Sequence, residues 1–395
     1  MLDPNALDKK GKTAIDFYAP SRNGKLVAVS LSEGGSEAGT VHVYDAAAGK
    51  KLDDVIPRVQ FPTAGGDLAW NAAGTGFFYT RYPAPGERPA RDLHFYQQVY
   101  FHKLGTPTDK DAYVLGKDFP RIAETFLDTS ADGRFLLATV QNGDGGEFQH
   151  HLRGPDGKWT QLTRYADQVS AAAFGQERDN ALYLLSRKDA PRGQILRLRL
   201  DAPGLDRAAV VVKEGPVAIQ GLRFGSNRLY TTFVPTASGL YVTDTDGGPS
   251  QLRFVSREGG KGQRMPLPPV ANVRDVVPSG QDEVLIEVET FLQPPAWYAF
   301  KKGDARLRRT ALFKKAPADL KDYEVVREFA VSKDGTRVPL SILRRKGTKR
   351  DGNNPTLLTG YGGYGVSLTP RFKASGLVWL EQGGVFVVAN IRGGG

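Results

Sequence analysis

The stretch Asn23-Gly24-Lys25-Leu26-Val27-Ala28-Val29 reads as a tight polar turn running into an apolar strand. Asn-Gly supplies the positive φ that a short hairpin needs, and the run behind it suits a half-buried strand. The cassette returns as Ala73-Gly74-Thr75-Gly76-Phe77-Phe78-Tyr79 and as Asp132-Gly133-Arg134-Phe135-Leu136-Leu137-Ala138. Further copies are Asp179-Asn180-Ala181-Leu182-Tyr183-Leu184-Leu185, Ser226-Asn227-Arg228-Leu229-Tyr230-Thr231 and Gln281-Asp282-Glu283-Val284-Leu285-Ile286. Successive turns lie about 45 to 60 residues apart, which suits four-stranded propeller blades. A second cassette falls between them, a strand ending in a polar turn. It is seen in Val41-His42-Val43-Tyr44-Asp45 before Gly49-Lys50 and in Leu240-Tyr241-Val242-Thr243-Asp244 before Gly247-Gly248. His151-Leu152-Arg153 before Pro155-Asp156-Gly157-Lys158 follows the same plan. A β-sandwich would use similar strands, but six regular units exceed an ordinary sandwich. The expected fold is mainly β, a propeller of about six blades over residues 1–316.

Near Pro317 the pattern changes. Tyr323-Glu324-Val325-Val326-Arg327-Glu328-Phe329 leads through Lys333-Asp334-Gly335 into Val338-Pro339-Leu340-Ser341-Ile342-Leu343, a hairpin on an Asp-Gly turn. Pro355-Thr356-Leu357-Leu358 and Val385-Phe386-Val387-Val388-Ala389 are compact apolar runs, read as interior strands of a sheet covered on both faces. A second domain is therefore expected over residues 317–395.

Composition narrows the function classes. The 395 residues include no cysteine, which removes disulfides, thiolate metal sites and thiol catalysis. No apolar run is long enough to span a membrane as a helix. The formal charge of +10 is spread among 43 acidic residues, which argues against a nucleic-acid surface. The densest basic cluster, Arg337, Arg344, Arg345, Lys346, Lys349 and Arg350, reads as a solvated hairpin face, with a basic cleft as the alternative. Adjacent His150 and His151 point to opposite faces of a strand, and His94 and His102 lack an acidic partner at zinc spacing. No metal site is expected, and His94 and His102 read as ordinary polar histidines. Asn142-Gly143-Asp144-Gly145-Gly146-Glu147 lacks the ligand order of a calcium loop and reads as a blade turn.

The segment Thr359-Gly360-Tyr361-Gly362-Gly363-Tyr364-Gly365 contains a literal G-x-G-x-x-G. A dinucleotide site needs a helix opening directly after these glycines, and Val366-Ser367-Leu368-Thr369-Pro370 is poor material for one. The acid about 20 positions on, Glu381, precedes the next strand, where the fingerprint would have it end that strand. No cofactor is expected. Glycines here instead permit close backbone approach to a reacting group, with two tyrosines at the mouth of the loop.

The strings GYGGYGVSLTP from Gly360 and GGVFVVANIRGGG from Gly383 resemble the opening of the catalytic domain of the prolyl oligopeptidase family of serine peptidases. LDPNALDKKG from Leu2, AWNAAGTGFFYTRYP from Ala69 and YFHKLGT from Tyr100 resemble its propeller, and VSKDGTRVPLSILRRKG from Val331 is similar to its first catalytic-domain hairpin. In that family a seven-bladed propeller caps an α/β-hydrolase domain that cleaves short peptides after proline through a serine, aspartate and histidine triad. The resemblance implies that Tyr361 donates its hydroxyl to the oxyanion of the tetrahedral intermediate. It implies that Tyr364 walls the proline pocket, with loop packing as the alternative. Phe61 resembles a propeller aromatic that reaches the substrate cleft, and blade packing accounts for it equally well. Arg392 is expected to organise its loop. No serine here sits in a G-x-S-x-G elbow, and all five histidines precede residue 317. The chain is thus expected to be an internal piece of such an enzyme, without its first blade and without its triad, and inactive alone. Open propeller faces and an unfinished sheet are expected to associate. By the same resemblance the whole enzyme is expected to be monomeric and cytoplasmic, with periplasm or secretion left open. A non-catalytic propeller that binds peptide or protein is the competing reading.

Overall fold

The computed structural model describes residues 2–36, 38–59, 66–176, 178–224, 229–260, 262–363 and 365–394. Six consecutive antiparallel meanders occupy residues 13–313. The first runs Thr13–Pro20, Leu26–Glu33, Thr40–Asp45 and Lys51–Pro57, each strand beside the next. The turn that opens it owes its shape to local chemistry. Gly24 holds φ +67°, the Ser21 hydroxyl donates to Asn23 Oδ1 at 2.9 Å, and Leu26 N–H donates back to Ser21 Oγ at 3.0 Å. The third meander repeats the device: Gly133 sits at φ +67°, with Ser130 Oγ 2.6 Å from Asp132 Oδ1 and accepting from Phe135 N–H. A short hydroxyl-capped turn thus sets the register of a buried second strand.

The fifth meander departs from the expectation. Its first-strand position is filled twice, by Ala218–Ile219 and by Phe233–Pro235, both paired along Gly239–Thr245. Leu229–Tyr230, expected from the Ser226–Thr231 cassette to be a blade strand, lies off this sheet; Leu240–Asp244, in the sheet's second strand, runs into a polar turn as expected. The physical reason is the stretch 220–232, which interrupts the first strand and carries a separate two-stranded hairpin, Arg223–Phe224 with Leu229–Tyr230.

The chain forms two compact units, residues 1–186, 197–208 and 222–230 in one, and 187–196, 209–221 and 231–395 in the other. In the first, Phe17, Val41, Ile56, Trp70, Phe77 and Tyr79 belong to a common buried cluster. In the second, Tyr241, Leu252, Val284, Ile286 and Phe300 do the same.

The last sheet has a different plan. Its strands are β1 (Tyr323–Val331), β2 (Arg337–Arg345), β3 (Thr356–Gly360) and β4 (Val385–Ala389), with helix α1 (Ala374–Glu381) between β3 and β4. The spatial order is β1-β2-β4-β3, and β3 and β4 run parallel. That pairing requires a crossover, which α1 provides by burying Leu377 and Leu380 against Leu343, Val388 and Phe291. Gly383 at φ +82° ends the helix, and Gly384 leaves room for the Trp379 indole, whose Nε1–H donates to Val385 O at 2.9 Å. β4 is interior, as expected. β3 is not: it forms the edge, every residue is exposed, and Leu358 keeps 67% of its surface. The run is apolar enough for a covered strand, but nothing among the described residues packs over it. Among the described residues no helix is long and apolar enough to cross a membrane.

Candidate functional site

β3 and β4 run parallel, with Gly360 opposite Ala389, so the loops after them leave the same end of the sheet. The carboxyl ends of parallel strands are where open α/β sheets place ligands. The loop after β3 carries Tyr361. The loop after β4 carries Asn390, Ile391 and Arg392.

The two loops meet backbone to backbone. A Cβ added to Gly362 would lie 2.1 Å from Arg392 O, and one added to Gly393 would lie 2.2 Å from Gly362 O. Gly393 also holds φ +89°. Gly365 and Gly394 form a parallel bridge beside them. These glycines serve mutual close approach rather than a phosphate. No helix opens at Gly365; α1 begins at Ala374, and Glu381 ends it before β4. The dinucleotide pattern therefore lacks both its helix and its acid.

Tyr361 is exposed, at 45% of its surface, and its hydroxyl has no hydrogen-bond partner among the described residues. Its ring folds back over Gly363, where an added Cβ would fall 3.1 Å from the phenolic oxygen. A side chain at 363 would thus push the hydroxyl aside. Of the other anticipated site residues, Tyr364 and Phe61 lie outside the described residues.

Arg392 organises its loop as expected, but the partners that anchor these loops were not legible in sequence. Arg392 Nη1 pairs with Asp334 Oδ2 at 2.6 Å, tying its loop to the β1–β2 turn. Both partners are solvated, so the pair fixes geometry more than it adds stability. Asn390 is held by its N–H to Pro339 O at 3.0 Å and by its carboxamide to Leu368 O at 2.9 Å. Arg327 of β1 donates to Gly247 O at 2.9 Å and Asp246 O at 3.1 Å, and burial draws its guanidinium below the usual range. Gly248, at φ +112°, lies so close to Asn390 that an added Cβ would sit 2.6 Å from its Oδ1. Gly247-Gly248 looks in sequence like any hairpin turn; only the fold brings it against Asn390.

Elsewhere the basic cluster resolves as a hairpin face. Arg344 pairs with Glu324 at 2.9 Å, Arg350 pairs with Glu328, and Arg337 stacks on Phe329. His150 is fully buried and His151 lies against Phe119; burial lowers their pKa values to about 3 and about 4. Asn142–Glu147 turns between strands, with the Asn142 carboxamide donating to Glu147 at 2.9 Å. His102 differs from its reading as an ordinary polar histidine. It is fully buried between Asp54, 3.0 Å from Nε2, and Asp111, 2.8 Å from Nδ1. Asp54 lies 48 positions upstream, so no local spacing could reveal the pair. Among the described residues no group of three or more His, Cys, Asp or Glu side chains is arranged so that it could hold a metal ion.

The family model described as prolyl oligopeptidase, N-terminal beta-propeller domain, matches residues 1–310. A prolyl endopeptidase of Elizabethkingia meningoseptica is 29% identical over 406 aligned positions, covering 100% of this chain and 54% of that protein. Prolyl oligopeptidase A of Galerina marginata is 26% identical, covering 100% and 55%. Among solved structures, one from a study of two prolyl endopeptidases superposes with TM-score 0.86 at 26% identity, covering 100% of this chain and 56% of that one. Prolyl oligopeptidase B of Galerina marginata, bound to a 25-residue macrocyclization substrate, has TM-score 0.81 at 21% identity, which bears on fold alone. The chain spans about half the length of the relatives it matches. With the six meanders as blades and the match running across them, the chain belongs to the prolyl oligopeptidase family of serine peptidases, through its N-terminal β-propeller domain.

Proposed function

We propose that this chain is part of a serine oligopeptidase that hydrolyses short peptides after proline, with Tyr361 as the oxyanion donor. In this reading residues 1–316 are propeller and residues 317–395 begin the α/β-hydrolase domain. The serine, aspartate and histidine of the triad belong to the part of the relatives' length that this chain does not span. The observation that carries the reading is Tyr361: an exposed phenol, without a hydrogen-bond partner among the described residues, at the carboxyl end of a parallel strand, its loop clasped to the next strand's loop by Gly362 and Gly393. A donor aimed at charge that develops only in the transition state lowers the barrier selectively. Its placement before the reaction costs nothing at the moment of reaction, because the glycine clasp fixes the loop. Tyr364 and Phe61 are assigned to the walls of the proline pocket and substrate cleft, and the substrates are short proline-containing peptides.

The test uses a chromogenic proline-containing reporter. The chain alone should release no product. The full-length protein should cleave the reporter, and Tyr361→Phe in it should lower kcat by about 10²–10³-fold with little change in KM. Cleavage by the chain alone, or an unchanged kcat in the variant, overturns the proposal. Peptide binding by a full-length protein that never cleaves would mark a non-catalytic propeller instead.

A further inference from the structure

A cavity of about 560 Å³ opens in the first compact unit, on the second meander, far along the sequence from Tyr361. That volume falls in the range of small-ligand sites. Its walls include Arg81, Glu87, Arg88, Tyr96, Tyr100 and Lys117, with Pro83 and Pro89 beside them. Three cations therefore face one carboxylate.

The carboxylate is already used. Glu87 takes both Arg81 nitrogens, at 2.7 and 2.9 Å, and the Arg81 guanidinium holds its carboxyl down to about 2. Arg81 is further fixed over the Tyr100 ring at 4.1 Å. Arg88 and Lys117 have no carboxylate partner among the described residues. Arg88 stacks 3.7 Å from the centre of Tyr96, and Lys117 lies 4.5 Å from that of Tyr113. An aromatic face orients a cation but leaves its charge unneutralised, and the N–H edges of the guanidinium stay available.

A second observation is independent of charge. Tyr96 holds φ +56°, a conformation costly for a bulky side chain. It is kept there by its N–H to Arg121 O at 2.8 Å, while Arg121 stacks on Phe95 at 3.4 Å and pairs with Asp92 at 3.0 Å. Strain of this kind persists where the surroundings over-determine it, and here it sets the platform for Arg88.

We propose that this cavity is a binding site for the carboxylate of a peptide, taken by Arg88 and Lys117, with the adjoining side chain or proline ring against Tyr96 and Tyr100. The proposal rests on the peptidase reading for its ligand class. Phosphate sites are commonly built from helix N-termini or runs of backbone N–H groups. The guanidinium fork and the ammonium would take carboxylate or phosphate alike; the aromatic faces beside them are what favour a carboxylate carrying an apolar group.

The experiment is calorimetric titration of this chain at low ionic strength with an N-acetylated proline-containing tripeptide, its C-terminal amide, and inorganic phosphate. The free acid should bind at least about tenfold tighter than the amide, and the preference should shrink as salt rises. The double variant Arg88→Gln, Lys117→Gln should lose the preference while keeping the wild-type thermal midpoint. Equal binding of acid and amide, no binding of either, or a preference that survives the double variant overturns the proposal. Phosphate binding that the variant abolishes, without acid binding, overturns it in favour of a phosphate site. Cleavage of an amide-blocked reporter by the full-length protein does not depend on this carboxylate, so failure here and failure of the peptidase reading are separable.

Discussion

Replacing His102 with glutamine tests a buried, doubly paired histidine. His102 lies between two aspartates, with side-chain exposures of 1% for the imidazole, 5% for Asp54 and 2% for Asp111. Asp54 also accepts from Gly105 N–H at 2.6 Å, Asp111 accepts from Tyr79 O–H at 2.7 Å, and Phe77 stacks 5.3 Å away. A carboxylate only accepts, and a neutral imidazole has one N–H, so only the protonated ring satisfies both acids. Burial alone lowers the pKa of His102, but hydrogen bonds and charge from Asp111 and Asp54 prevail and raise it above the ordinary 6.5. At an effective dielectric of about 20, each contact is worth roughly 4–6 kcal/mol before desolvation. Desolvation of three buried groups cancels much of this, and removing one partner typically costs about 3–5 kcal/mol. Glutamine can donate to only one of the two acids. His102→Gln should therefore lower stability by about 3 kcal/mol, or the thermal midpoint by roughly 10 °C. The sign with pH follows from the raised pKa. The contribution is complete below about 6.5 and disappears as pH rises through the folded-state value. His150 and His151, whose pKa values are lowered, act oppositely, losing stability as pH falls below 6.5. Urea midpoints for wild type and variant, measured from pH 5.5 to 9, isolate His102 by difference. A gap below 1 kcal/mol, or one that does not narrow above pH 6.5, would refute the argument.

Glu124 gives a second pH test: burial, helped by Asp144, pushes its carboxyl from 4.5 up to about 7. Ionising it in the folded state costs roughly 3 kcal/mol, lost as pH rises from about 4.5 through 7, and Glu124→Gln should flatten that part of the urea-midpoint profile. Gly362→Ala would put a methyl carbon 2.1 Å from Arg392 O and must part the two loops, so a drop of at least about 2 kcal/mol in denaturant stability is expected. The nearest atoms to a methyl in Gly363→Ala belong to Tyr361, its hydroxyl at 3.1 Å, so under the proposed oxyanion role it should spare stability and lower kcat of the full-length protein instead. The exposed edge strand β3 should drive self-association of this chain, and Leu358→Lys should reduce it in sedimentation velocity; equal association in both would argue that another surface is responsible.

Much of the architecture was written locally. A turn such as Ser21-Arg22-Asn23-Gly24 and the apolar strand behind it form their own hydrogen bonds within a few residues, so their repetition at blade spacing announced six meanders. The glycine loop was legible for the same reason: Val366 through Pro370 oppose a helix wherever they are placed. Other features depend on partners distant in the chain. The His102 bridge needs Asp54 from another sheet, the loop clasp needs Arg392 O beneath Gly362, and the Gly247-Gly248 turn acquires its constraint only beside Asn390. The apolar run Thr356–Leu358 shows the limit most plainly. Its composition specifies a strand, but whether a strand is interior or edge depends on sheet order, and β1-β2-β4-β3 leaves it outside. Backbone propensity and turn chemistry act over a few residues and can be read along the chain; burial, charge pairing and backbone clearance arise between segments, and only the folded chain sets them.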